Sequence, residues 1–199
     1  MARTEEGGLL TVAHRQGQAT VRARALREHT RLWPLWNGDE ASFRRLVAAT
    51  VPLIQVNHRL SSLLASAYYE AFRRAERAGG SARTRLAADP NVERIIASLY
   101  VTGAVMTRKA LAAGQSPDAA MQTALVRTSG AVTRHVLAGS RATLTTSSLE
   151  DPAARGWERV TSGRPCDFCA RLAGEPAQEN STDFPAHDHC LCTVQPAYV

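Results

Sequence analysis

The chain has 199 residues, 44% hydrophobic and 21% charged, values that exclude wholesale disorder and fit a folded globular protein. Its 24 basic residues outnumber its 18 acidic ones, for a formal net charge of +6. No uncharged apolar run approaches the ~20 residues that cross a bilayer, and the opening Met-Ala-Arg-Thr-Glu-Glu-Gly-Gly lacks an apolar signal core. Neither a membrane span nor a secretory signal is therefore expected, and folding in the cytoplasm is.

The elements predicted in chain order are mostly helices. From about Leu9 to Trp33 a rough apolar stripe runs through Leu9, Val12, Val21, Ala25, Leu26 and Leu32. Leu32-Trp33-Pro34-Leu35-Trp36-Asn37-Gly38 closes it with a proline, a glycine and two indoles that suit a helix junction. Asp39 is the expected N-cap of the next helix. Its face reads Phe43, Leu46, Val47, Leu53, Ile54, Leu60, Leu64, Tyr68, Ala71 and Phe72, ending at Gly79-Gly80. Pro52 predicts a kink or a restart within it.

A polar connector spans 79–89. Asp89-Pro90 then reads as an N-cap followed by proline at the first helical position. Val92, Ile95, Ile96, Leu99, Tyr100, Gly103 and Met106 form the face of that helix, and Gly114 stops it. Ser116-Pro117-Asp118 repeats the start signal, and Met121, Ala124, Leu125, Thr128, Val132 and Val136 carry the pattern to about Gly139. One short turn separates these two helices, which predicts an antiparallel αα-hairpin. From 140 to 155 the periodicity fades into Ser, Thr, Ala and Pro, so a boundary is placed there: an α-helical body over 1–150 and a small module over 151–199. The charge divides at the same place, +9 before and −3 after.

All four cysteines lie in the last 34 residues: Cys166, Cys169, Cys190 and Cys192. With no export signal, a disulfide framework is the weaker reading and metal binding the stronger. Cys166-x-x-Cys169 lets two thiolates of one turn approach one ion. His187, Cys190 and Cys192 follow at a spacing that closes a tetrahedral site across a loop. Soft sulfur with imidazole favours Zn²⁺. These five compete for about four positions, with His189 as a sixth candidate. A segment of ~45 residues buries too little apolar surface to fold alone, and structural zinc can supply on the order of 10 kcal/mol.

Catalysis finds little support. Pro165-Cys166-x-x-Cys169 matches half of a zinc-deaminase signature, but none of His14, His29, His58 or His135 begins the His-x-Glu half. There is no His-Glu-x-x-His, phosphate-cradling glycine loop or Gly-x-Ser-x-Gly. A site filled by protein ligands leaves no open position, so the metal reads as structural and the protein as a non-enzyme. The clusters Arg22-Arg24-Arg27-Arg31, Arg44-Arg45 and Arg73-Arg74-Arg77 can meet nucleic acid, although interleaved Glu28, Glu70 and Glu76 mark solvated helix faces. All the basic residues but Lys109 are arginine, a pattern that GC-rich codon usage also produces.

The tail motif Gly156-Trp157-x-Arg159-Val160, Cys166-x-Phe168-Cys169-x-x-Leu172-Ala173-Gly174, Phe184-x-Ala186-His187-Asp188-x-Cys190-x-Cys192-Thr193 resembles the C-terminal signature of phage Mu F-like (MuF) minor head proteins. The closest likeness is to the short versions of actinobacterial phages. His187-Asp188-His189-Cys190 replaces the more widespread His-Pro-Asn-Cys. The resemblance implies a minor capsid or head morphogenesis protein that acts near the portal in procapsid assembly. Its implied partners are portal, major capsid or scaffolding protein and packaged DNA, with no membrane and no small-molecule substrate. Its implied location is the head interior of the virion, and the host cytoplasm during assembly. A zinc-ribbon-like nucleic-acid-binding regulator is the alternative, weakened by the −3 charge of the metal segment.

Overall fold

The computed structural model describes residues 2–161, 163, 165–173, 175 and 177–198. Gly174 of the tail motif lies outside them. The elements are α1 (Glu5–Leu32), a 3₁₀ turn (Trp33–Leu35), α2 (Glu40–Ala75), α3 (Val92–Tyr100), a π turn (Val101–Val105), α4 (Met106–Ala112), α5 (Pro117–Glu150), β1 (Ala154–Val160), α6 (Asp167–Ala173) and β2 (Thr193–Tyr198). The fold is mainly helical with one small C-terminal strand pair, in which β1 and β2 run antiparallel.

Capping explains most of the helix starts. Asp39 accepts the Ser42 N–H at 2.6 Å, and Ser116 accepts that of Ala119 at 3.3 Å ahead of Pro117. One expected start is corrected. Asn91, not Asp89, caps α3, accepting the Arg94 N–H at 2.7 Å, so Pro90 precedes the cap. Pro52 does not divide α2, which continues through it with the ring exposed.

The stripe expected on α1 holds in its second half, where Val21 and Ala25 are buried and Leu26 and Leu32 pack against the core, and is corrected in its first. Leu9 and Val12 are exposed, at 64% and 48%. The buried seam is Gly7, Thr11, His14, Gln18, Val21, Ala25 and His29, whose steps of three and four residues keep one face inward. It is largely polar because its partners are polar. Gln18 exchanges hydrogen bonds with Ser61, donating to its carbonyl at 3.0 Å and accepting its hydroxyl at 2.6 Å. His14 stacks on Tyr68 and meets the Ser140 hydroxyl at 3.2 Å, while His29 meets that of Thr128 at 3.1 Å.

The helix expected to end at about Gly139 does not stop there, since α5 continues to Glu150. Its last three turns bury Ser140, Thr143, Thr145, Ser147 and Ser148 beside Leu144, a small polar set that hydropathy periodicity cannot register. These hydroxyls hold the connector: Thr143 accepts the Ala87 N–H at 3.0 Å and Ser147 that of Arg85 at 2.8 Å.

One apolar cluster joins Phe43, Leu46, Ile54, Ile95, Leu99, Val132 and Val136 at the body's centre, with Trp36 buried in it. A second contains Tyr68, Tyr69, Phe72 and Leu144 from the body with Trp157, Val194 and Tyr198 from the tail. Residues on both sides of position 150 thus share one core. The continuous helical stretch Val92–Ala112 is 21 residues long and, by length and composition alone, apolar enough to cross a membrane. No single uncharged run in the sequence announced it. Ile95 and Leu99 on its inner face belong to the central cluster.

Candidate metal centre

Two turns bring the cysteines together. Cys166 lies just before α6, and its carbonyl accepts the Ala170 N–H at 2.8 Å, so the Cys-x-x-Cys segment enters the helix with Cys169 turned inward. On the other side, the Cys190 N–H returns to the His187 carbonyl at 3.2 Å, closing a turn with His189 at φ 64°. Left-handed backbone at the third residue of a turn suits glycine or asparagine, and histidine tolerates it better than most residues do.

The structure brings all five primary candidates together. Cys166, Cys169 and His187 have donor atoms within 4.8 Å of one another, as do Cys169, Cys190 and Cys192, so Cys169 belongs to both groups. His187 Nε2 is 3.1 Å from Cys166 Sγ and 3.4 Å from Cys169 Sγ, and Cys169 Sγ is 3.7 Å from Cys190 Sγ. A tetrahedron with metal–sulfur bonds of ~2.3 Å has sulfur–sulfur edges of ~3.8 Å, so these separations fit a shared ion. The cluster can hold a metal ion. His189, the sixth candidate, is in neither group; its ring lies over Gly130 of α5.

His187 is oriented for ligation. Its Nδ1 is 2.6 Å from the Asp188 carbonyl, which accepts that N–H and leaves Nε2 facing the thiols with its lone pair. The same carbonyl holds the ring above its ordinary pKa. Cys166 and His187 are exposed, whereas Cys169, Cys190 and Cys192 are buried, so the site has one wet and one dry side. The dry thiols are unequal. Burial pushes Cys169 up to about 11, while the hydrogen bond from Cys192, and then the Arg141 charge, pull Cys190 down to about 4. A divalent ion would remove that disparity by stabilising every thiolate it touches.

Sequence reasoning missed the residues that tie this cluster to the body. Arg141 of α5 is 4% exposed and donates through Nη2 to the Cys190 carbonyl at 2.8 Å and through Nε to that of Cys192 at 3.2 Å. Arg134 pairs with Asp188 at 2.8 Å. In an arginine-rich chain neither position stands out. The other histidines are placed elsewhere: His14 and His29 in the α1 seam, and His58 between the carbonyls of His135 and Ala88. The arginine clusters are partly spent locally, with Arg24 on Glu28, Arg44 beside Glu40 and Arg73 on buried Asp151.

A family model described as VG15 protein matches residues 10–198. No curated protein and no solved structure shows a significant match to the chain.

Proposed function

We propose, for a chain that belongs to the VG15 protein family, that it is a phage minor capsid or head morphogenesis protein, acting in procapsid assembly near the portal, with a structural zinc ion in its tail. The observation that carries this reading is the convergence of Cys166, Cys169, His187, Cys190 and Cys192 on one cluster. These are the residues through which the tail resembles MuF minor head proteins. A family whose name is that of a viral gene product, matched over nearly the whole chain, supports the same direction.

Zinc is the ion of choice because thiolates with one imidazole are its usual structural set. Four of the five would supply a full tetrahedron, with Cys169, common to both groups of close donors, one of them. Five protein donors leave no vacant position for a reacting water, which favours a structural ion over a catalytic one. The body supplies the docking surface. Exposed Arg27, Arg31, Arg45, Arg74 and Arg77 face solvent, suited to acidic surfaces of portal, capsid or scaffolding protein.

The test is fractionation of an infected lysate at two salt concentrations, with and without nuclease. The protein is expected in procapsids or virions, bound to portal or major capsid protein, with the association surviving nuclease. A steep salt dependence, with a slope of roughly 0.9 per phosphate contact, would instead assign the arginines to DNA. Absence from heads together with tight binding to a defined duplex would overturn the reading in favour of a nucleic-acid-binding regulator.

A further inference from the structure

The dry side of the cysteine cluster carries an electrostatic oddity. Arg141 and Arg159 are 4% and 8% exposed, yet neither pairs with a carboxylate among the described residues. Among the described residues, Arg141 donates to the carbonyls of Cys190 and Cys192. Arg159 donates through Nη2 to the Pro185 carbonyl, and its Nη1 has no hydrogen-bond partner among the described residues. Both guanidiniums lie over the Phe184 ring, at 5.1 Å and 3.8 Å from its centroid, and that ring packs on Cys169, Cys190 and Cys192. Two buried cations are thus gathered on one aromatic ring with no carboxylate in ion-pair contact among the described residues. Arginine cannot shed its proton to escape the cost of burial. Arg159 shares a pocket with the carboxylates of Glu175 and Asp183, but the acidic groups acting on Arg141 are, among the described residues, the thiols of Cys190, Cys192 and Cys169.

We propose that Arg141, with Arg159 behind it, is the counter-charge of an anionic metal–thiolate centre, so the site takes a thiophilic divalent ion held by at least three thiolates, and its loading fastens the tail to α5. This rests on the metal reading above. The charges balance in either ligand arrangement. A divalent ion with three thiolates and one neutral imidazole carries one net negative charge, and with four thiolates two. Each thiol that ligates releases its proton to solvent. The centre then answers one or both guanidiniums. A hard cation such as Mg²⁺ or Ca²⁺, which prefers oxygen ligands, would leave the thiols protonated and the arginines unanswered.

The test uses the full chain, reduced, with zinc competed against a chromophoric chelator. Arg141→Met removes the charge and keeps the stem; Arg141→Lys keeps the charge and loses the fork. Arg141→Met is expected to weaken zinc binding tenfold or more, the usual scale for residues that support metal ligands, while Arg141→Lys retains most of the affinity. Urea unfolding with and without zinc gives the sign. Arg141→Met should lower the midpoint of the zinc-loaded protein, but leave unchanged or raise that of the zinc-free protein, where the buried cation is unanswered. An equal loss in both states would reduce Arg141 to a donor for two carbonyls and overturn the proposal, as would unchanged zinc affinity. Arg159→Met, which reaches the cluster only through Phe184, should weaken zinc in the same direction by a smaller factor, and no weakening counts against the proposal. Failure of the wild type itself to bind zinc would overturn the metal reading, a result distinct from wild type and Arg141→Met binding equally.

Discussion

Gly130 is where one added methyl group would press the cysteine-bearing loop off the helices. A Cβ there would lie 2.7 Å from His189 Nε2 and 2.8 Å from Asp188 Cβ, both in the turn that presents His187 and Cys190. Gly130→Ala is therefore expected to destabilise the protein by about 1–3 kcal/mol, the usual cost of overpacking, and to weaken metal binding in the same titration. Asp151 is a second sensitive position. Its buried carboxylate accepts from Tyr69 Oη at 2.9 Å, Arg73 Nε at 2.8 Å and Tyr198 Oη at 3.2 Å, so it joins α2, the end of α5 and β2. Burial alone would raise its pKa, but Arg73 and the other donors outweigh burial and hold it low. Asp151→Ala would remove a shared acceptor from Tyr69, Tyr198 and Arg73, although Arg73 keeps the Gly79 and Gly80 carbonyls and Tyr69 that of Ser147, at a cost of about 1.5–3 kcal/mol by urea denaturation. The cysteines and His187 were legible in the sequence because thiol spacing is itself the chemistry of the site. Arg141, Arg134 and Asp151 were not, because a buried charge is recognised by its partner, and the cluster partners of Arg141 lie about 50 residues away.

At the scale of elements, α1 packs through a polar seam, and that makes its packing sensitive to acid. Burial lowers His14 and His29 to about 4, and burial followed by the Arg134 charge does the same for His135. The folded state therefore prefers each ring neutral, so stability is full above the unfolded value near 6.5 and falls as pH drops from there toward 4. Between pH 7 and pH 4.5 each ring is expected to cost about 2 kcal/mol. Glu76 and Asp151, both held below their ordinary values, add to this loss only at lower pH. Urea midpoints at the two pH values measure the effect, and His14→Gln or His29→Asn should flatten the profile. A wild-type midpoint unchanged to pH 4.5 would show that the seam opens to water before the rings charge. This seam is also why the first half of the α1 face was misread while the face of α2 was not. Phe43, Leu46, Ile54, Tyr68 and Phe72 announce themselves by hydropathy, whereas Thr11, His14 and Gln18 are buried by virtue of hydroxyl and amide partners on α2 and α5.

Over the whole molecule, the tail contributes to the body's core as well as to its own site. Val194 and Tyr198 of β2 pack with Tyr68, Phe72 and Leu144, and the Thr11 hydroxyl donates to Gln195 Oε1 at 3.1 Å. At the opposite end of the chain, Glu76 accepts the N–H groups of Arg3 and Thr4 at 2.9 Å and 3.2 Å, fixing the start of α1 to the end of α2. Removing the metal is accordingly expected to release the segment around α6 first, with the indole signal of Trp157 changing more than the helical far-UV signal. Cys169→Ser should have the same effect and also lower the melting temperature, because β2 then loses the anchor through Arg141.

The role of the tail depends on whether the cysteine cluster holds a metal. Elemental analysis of protein purified under reducing conditions, paired with a count of thiols reactive to a disulfide reagent, tests this most directly. The account predicts about one zinc per chain, with the cysteines protected until a chelator is added. Zinc-free protein whose four thiols all react at once without chelator would contradict it.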